Sequence, residues 1–357
     1  MRRYLIATAV ALSACSAALA DTVGDVLKQI AANNLTLQSA AHDTRADVLD
    51  IKATNTLGGP SVEYSPFFTK GYSGVAESEL VVSQEIDFPT KYAARSKQAQ
   101  MQQAVGEKQI AKQRRDILLQ AQLVCLDLIR VNQTLAMLRE RLGNSDTLLL
   151  MYEKRMEAGD ANALELNKVK LDCMEVHTLV SEAEGERTAL LQQLRQLNGG
   201  KPIDVATTEL PHYEPIVDFE QYRALALASD ADVAVAQTAL RAADLNLKQQ
   251  KSEWLPSISF GYRRNTEQRE AINGFMVGVS FPLYSNSSNV KAARERRQSA
   301  ELQVQQAQHD TEASLRTSYE QLQGLQQVID HSDVKLLQES LALFKKALQQ
   351  GEITALV

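Results

Sequence analysis

Ser257-Ile258-Ser259-Phe260-Gly261-Tyr262, entered through Trp254-Leu255-Pro256, sets apolar residues at every second position against small or polar ones. Successive side chains of a strand point to opposite faces, so this stretch is a strand with one greasy face. A charged stretch from Arg263 to Asn273 follows and is expected to be a loop. The alternation then returns: Phe275, Val277, Val279, Phe281 and Leu283 share one face, and Met276, Gly278 and Ser280 share the other. Pro282 closes the second strand, the polar run 285–289 offers helix caps, and Val290-Lys291-Ala292-Ala293-Arg294 opens a long helical pattern.

The same order occurs once before. Val62 and Tyr64 alternate with Ser61, Glu63 and Ser65, and after a loop Leu80, Val82, Ile86 and Phe88 alternate with Glu79, Val81, Ser83, Glu85 and Asp87. Pro89 closes that strand, and Lys91-Tyr92-Ala93-Ala94-Arg95 opens another long helix. Upstream, Ala40, Arg45, Ala46, Leu49, Lys52 and Pro60 recur without a gap as Ala236, Arg241, Ala242, Leu245, Lys248 and Pro256. Matches sustained at one offset mark an internal duplication. The expected organisation is a leader at 1–20, a first repeat at 21–200 with strands at about 60–67 and 78–88, a connector at 201–216, and a second repeat at 217–357 with strands at about 256–263 and 274–283.

Each repeat begins with a helical stretch, 22–56 and 219–253, the first interrupted at Asn33-Asn34. Beyond the first strand pair, Ala121, Val124, Leu128, Val131, Leu135, Leu138 and Leu142 step by three and four, the spacing of a coiled-coil seam. Val169, Cys173, Val176, Val180, Ala183, Leu190, Leu194 and Leu197 form the returning seam, broken by Arg187. Two turns are open between them, Gly159-Asp160 and Gly143-Asn144. Turning at Gly159 makes a rod of ~100 Å, too long for an ordinary globular domain. Gly199-Gly200-Lys201-Pro202 ends the rod. The second rod carries Leu315, Tyr319, Leu322, Leu325 and Ile329 on one stripe, with a break expected at His331-Ser332-Asp333. Its Gly351-Glu352 matches Gly159-Asp160, and the sequence stops before a second return helix, so a C-terminally truncated chain whose stripe has no partner within it is expected.

Composition agrees with long helices rather than a compact core: 44% of the 357 residues are hydrophobic but only 5% aromatic. Those aromatics concentrate at Tyr64, Phe67, Phe68, Tyr72, Phe88 and Tyr92, and at Trp254, Phe260, Tyr262, Phe275, Phe281 and Tyr284, as in the girdles of membrane barrels. The formal net charge of −6 becomes more negative once Arg2 and Arg3 are removed, which excludes nucleic acid as a partner class. Arg2 and Arg3, an apolar run from Tyr4, and Ala18-Leu19-Ala20 read as a secretory signal cleaved before Asp21. Leu12-Ser13-Ala14-Cys15 keeps a second route open, in which Cys15 is lipidated.

No stretch beyond the leader has the ~20 apolar residues of a membrane helix, so a crossing has to use strands. Four strands with one apolar face leave edge amides and carbonyls unpaired in hydrocarbon, and several copies are needed to close a barrel. In such a barrel Phe275 and Val279 face lipid, and Glu85, Asp87, Ser257, Ser259, Gly278 and Ser280 face a watery lumen.

Helix, strand, loop, strand ending in Phe-Pro, long helix, Gly-centred turn and return helix, in duplicate, resemble the TolC family of outer-membrane efflux channels, including its metal-efflux branch. The resemblance covers essentially the whole mature chain and is carried by Trp254-Leu255-Pro256-Ser257-Ile258, Val279-Ser280-Phe281-Pro282-Leu283 and Gly351-Glu352-Ile353-Thr354. It implies a mainly α fold with a β-barrel part: a homotrimer with a twelve-strand barrel among outer-membrane lipid and a helical barrel in the periplasm. The implied function is a passive exit duct of a tripartite efflux system for small molecules or metal ions, docked by its tips on a periplasmic adaptor of an inner-membrane pump. Residue by residue, the tips fall at Gly159, Asp160, Gly351 and Glu352, and a pore constriction at Glu165, whose counterpart in the second repeat is Val357.

A periplasmic coiled-coil scaffold or adaptor-like protein would share the rods and the leader, yet would not need the strands. Five scattered histidines, no Gly-rich phosphate loop and no nucleophile motif point away from an enzyme, with no catalytic residue and no cofactor. Cys173 and Met174 with His177 are the one metal-like cluster, but Cys173 occupies a seam position where a thiol packs as a small hydrophobe, so no metal is expected.

Overall fold

The computed structural model describes residues 23–71, 73–211, 218–267, 270–282 and 286–349. The leader with Cys15, Leu283, part of the connector, and the second tip at Gly351-Glu352 with Val357 lie outside the described residues. The chain runs α1 (Val23–Asn33), α2 (Leu35–Thr54), β1 (Ser61–Phe67), β2 (Glu77–Asp87), α3 (Pro89–Glu157), α4 (Ala163–Leu197), α5 (Phe219–Ser229), α6 (Ala231–Ser252), β3 (Ser257–Glu267), β4 (Glu270–Ser280), α7 (Asn286–His331) and α8 (Val334–Gln349). Among the described residues, no helix is long and apolar enough to cross a membrane.

The chain divides into two compact units, one of Met1–Thr36, Arg114–Pro215 and Gln327–Val357, the other of Leu37–Gln113 and Ile216–Gln326. In the first unit, α3 and α4 form an antiparallel hairpin whose seam residues meet. Ala121, Val124, Leu128, Val131, Leu135 and Leu138 are buried with Val180, Ala183, Leu190 and Leu194 in one cluster, to which α1 adds Val26 and Ile30 and the segment after α4 adds Ile203 and Val205. Arg187, the break in the seam, reaches instead to Asn132 Oδ1 (2.9 Å) and Asp204 Oδ1 (2.7 Å). Asn132 in turn donates to the carbonyls of Val205 (2.8 Å) and Thr207 (3.1 Å), so the polar pair ties the segment after α4 onto the hairpin.

Both ends of that hairpin are closed by glycine. After α4, the Gly199 and Gly200 amides donate to the Gln196 and Arg195 carbonyls, the paired bonds of a Schellman cap, with Gly199 at φ 64°. The break between α1 and α2 docks on this cap: Asn34 Nδ2 donates to the Leu197 carbonyl (2.8 Å) and Asn33 Nδ2 to Asn198 Oδ1 (3.0 Å).

In the second unit, β1 to β4 form one antiparallel sheet in the order β1-β2-β3-β4. β2 and β3 are neighbours in space although two long helices and two shorter ones lie between them in sequence, so the sheet joins the two repeats. α5 and α6 are interrupted at Asp230, whose carboxylate accepts from the Val233 amide (2.9 Å) as an N-cap. Asp230 occupies the position in the second repeat that Asn34 holds in the first, a break the sequence reading did not register. α5 and α6 engage α7 through Phe219 against Tyr319 (ring centroids 4.6 Å apart), Arg223 with Glu312, and Arg297 Nε with Asp244 (2.9 Å).

Two expectations are corrected, and one open choice is decided. The second pair of strands was expected at about 256–263 and 274–283 with a charged loop between; the hairpin instead continues through Arg263-Arg264-Asn265-Thr266-Glu267 and Glu270-Ala271-Ile272-Asn273, and its second strand ends at Ser280. Backbone pairing does not need an apolar face, and with polar side chains on both sides the period-2 signal vanishes. The α7 stripe is not wholly without a partner, since Tyr319 stacks on Phe219; Leu325 and Ile329 are exposed. Of the two candidate turns, Gly143 lies inside α3, so the reversal falls at Gly159.

Candidate functional site

The register assembles one apolar face from residues far apart in sequence. Val62, Val82, Tyr262 and Phe275 lie in one row across the four strands, and Ile86, Ile258 and Val279 in another. Between them lie Phe260 and Val277, with Gln84 at the same level. Val82, Ile86 and Ile258 are half-buried, but among the described residues much of the face is open: Phe275 is 93% exposed, Val277 69% and Val62 67%. Leaving that much apolar area wet is costly at ~25 cal/mol per Å², and a contiguous greasy face of this kind marks a contact with lipid or protein. Tyr262 packs edge-on against Phe275 and donates its hydroxyl to Asn273 Oδ1 (2.7 Å), an aromatic body with a polar end.

The opposite face carries Ser61, Ser83, Gly261 and Met276 in one row, Glu85, Ser259 and Gly278 in the next, and Asp87, Ser257 and Ser280 in the last. Glu85, Asp87, Ser257, Ser259, Gly278 and Ser280 therefore share one face. The face is close-packed at this point: a Cβ on Gly278 would come within 2.5 Å of Ser259 Oγ, whose hydroxyl would have to turn aside. Ser257 donates to the Glu85 carboxylate and Ser61 and Ser83 share a hydroxyl bond (2.7 Å), while Arg263 is paired with Glu79.

Asp87 has a second role at the foot of β2. Its two carboxylate oxygens meet Lys91 Nζ (3.2 Å) and Arg95 Nη1 (2.8 Å), and Glu253 meets the same cations at 3.7 and 3.2 Å. Lys91 is buried, so the four charges balance locally and lock the start of α3 to the end of α6. The charge of Asp87 is thus committed to a structural network rather than free.

At the end of the hairpin, the Gly159 and Asp160 amides donate to the Met156 (3.1 Å) and Arg155 (2.8 Å) carbonyls, a second Schellman cap with Gly159 at φ 80°. The Asp160 side chain is exposed, and its carbonyl accepts from Arg155 Nη2 (3.1 Å). Glu165 is in the first turn of α4: its amide donates to Asn162 Oδ1 (2.9 Å), and its carboxylate accepts from the Asn162 amide (3.0 Å). This is a capping box, whose signature Asn162-Ala163-Leu164-Glu165 is legible in the sequence. Cys173 and His177 on α4 face Asp146 on α3, whereas Met174 is 65% exposed and stands apart from them.

A family model described as outer membrane efflux protein matches residues 26–200 and 223–356. No curated protein matches the sequence. Among solved structures, a membrane protein from Pseudomonas aeruginosa is similar at a TM-score of 0.72 and 16% identity, over 94% of this chain and 82% of that one. The Campylobacter jejuni CmeC outer membrane channel gives 0.68 and 14%, over 93% and 78%. The open state of the Neisseria gonorrhoeae MtrE outer membrane channel gives 0.61 and 16%, over 92% and 80%. At these identities the likeness is one of fold.

Proposed function

Since the chain belongs to the outer membrane efflux protein family, and is thereby an outer-membrane exit duct of efflux systems, we propose that three copies close their sheets into a single twelve-strand barrel. Family membership brings assembly with adaptor and pump partners and oligomerisation; the number of copies and the identity of the partners belong to the proposal.

The observation that carries it is the two-faced sheet whose edges, β1 and β4, pair with no further strand among the described residues. An open edge is untenable in hydrocarbon, because each unpaired amide or carbonyl there costs several kcal/mol. Pairing β1 of one copy with β4 of the next removes every edge, places Phe275, Val277 and Val279 against lipid, and turns Ser259, Gly278 and Ser280 toward a polar lumen. The 11 residues each of β2, β3 and β4 match the ~9–11 of a tilted membrane strand. The small and polar residues of that lumen would admit cargo by size and polarity, and passive passage is part of this reading. The two matched segments, 26–200 and 223–356, support the division into two repeats.

The hairpin end at Gly159 and Asp160, with Gly351 and Glu352 as its counterpart, is the docking point for a periplasmic adaptor in this reading. The support is its exposed, tightly capped turn between α3 and α4. The test is a count of subunits. Chemical cross-linking of the protein in outer membranes should yield species up to a trimer and none larger; a ladder ending at a dimer, or monomer alone, would overturn the closure.

A further inference from the structure

The α3–α4 hairpin holds a cluster that the channel reading leaves unused. Cys173 and His177 stand four residues apart on α4, one turn on the same face. From α3, Asp146 brings its Oδ1 to 3.3 Å from Cys173 Sγ and 3.7 Å from His177 Nε2. All three donor atoms lie within 4.8 Å of one another. With metal–sulfur bonds of about 2.3 Å and metal–nitrogen or metal–oxygen bonds of about 2.0 Å, a tetrahedral zinc centre spaces its donors at roughly 3.3–3.6 Å. Asp146 thus stands within a few tenths of an ångström of that spacing from both partners, and the third separation, between Cys173 and His177, is no more than 4.8 Å, so an ion would draw the exposed His177 side chain inward toward the sulfur.

We propose that Asp146, Cys173 and His177 form a binding site for a divalent transition-metal ion of the zinc class, with a fourth position open to water. The donor set decides the class. A thiolate disfavours hard ions such as magnesium and calcium, while carboxylate and imidazole beside it suit a borderline ion better than a purely soft one. Cys173 donates its thiol proton to Asp146, and the metal replaces that proton, which leaves to solvent as the sulfur becomes a thiolate ligand. The neighbouring residues brace the two helices at this level. Ser145 Oγ donates to Asp172 Oδ2 (3.0 Å), and Arg141 Nη2 to Asp172 Oδ1 (2.9 Å), so the residues beside Asp146 and Cys173 hold the ligands in register. Cys173 itself is buried, whereas the side chains of His177 and Asp146 are 60% and 51% exposed, which gives an ion a path in from solvent.

The test uses the full-length protein, reduced, metal-free and in detergent, titrated with cobalt(II). The expected result is a thiolate-to-cobalt charge-transfer band in the near ultraviolet that saturates at one equivalent per chain and is displaced by zinc. Cys173→Ser should abolish the band and Cys125→Ala should leave it. His177→Gln, a change at an exposed helical position, should weaken cobalt binding by at least about tenfold. No thiolate band in the unaltered protein, a band that survives Cys173→Ser, or affinity unchanged by His177→Gln would each overturn the site.

Discussion

Gly199 and Gly159 close the two ends of the same hairpin, yet they will not respond alike to a methyl group. Both are left-handed, which costs a non-glycine residue about 1–2 kcal/mol. At Gly159 a Cβ meets nothing within 4 Å, so Gly159→Ala should cost about that amount and no more. At Gly199 it would come within 2.4 Å of the Asn33 carbonyl oxygen, and backbone cannot swing aside as a side chain can. Gly199→Ala should therefore lower the denaturation midpoint clearly further than Gly159→Ala, and equal shifts would show that the α1–α4 contact contributes little. Glu165 is testable at the same scale. Glutamine can still complete a capping box, so Glu165→Gln should be near neutral in stability, while Glu165→Ala should lose about 0.5–1 kcal/mol. If Glu165→Gln instead alters transport while stability is unchanged, the carboxylate charge acts in the pore. Both glycines were legible as turn signals from their settings, but their unequal crowding depends on Asn33, remote in sequence.

Among the elements, the hairpin was the most legible because a heptad seam repeats over many turns, and Ala121 through Leu138 are all buried where the period puts them, except that Arg187 breaks the returning seam. From the sequence alone Arg187 is a defect. In the structure it holds Asn132 and Asp204, and Asn132 holds the segment after α4. Arg187→Leu would restore the apolar period and yet remove the partner of Asn132 Oδ1 and of the Asp204 carboxylate, so it should destabilise the hairpin by about 0.5–1.5 kcal/mol rather than strengthen it. A higher denaturation midpoint for Arg187→Leu would contradict this. The ends of β3 and β4 were not legible, because the polar residues of 263–267 and 270–273 carry no apolar alternation. Asp146 was not legible as a neighbour of Cys173 and His177 either: it sits on α3, 27 residues before Cys173, and only the hairpin packing brings them together.

On the scale of the whole molecule, the account rests on which face of the sheet meets lipid. The alternation from Ser257 to Tyr262 and the register across all four strands assign the same faces from independent observations, one local and one topological. What the sequence left open was how residues from two repeats combine into one surface, since β2 and β3 pair across a long interval. The most direct measurement is the labelling of single cysteines in intact outer membranes, on a background lacking Cys125 and Cys173. Ser280→Cys should react with a membrane-impermeant, water-soluble thiol reagent and Val279→Cys only with a lipid-soluble one, because adjacent strand residues point to opposite faces. Swapped reactivity, or equal labelling of both positions by the water-soluble reagent, would contradict this assignment of lipid and lumen faces, since a one-residue slip reverses them.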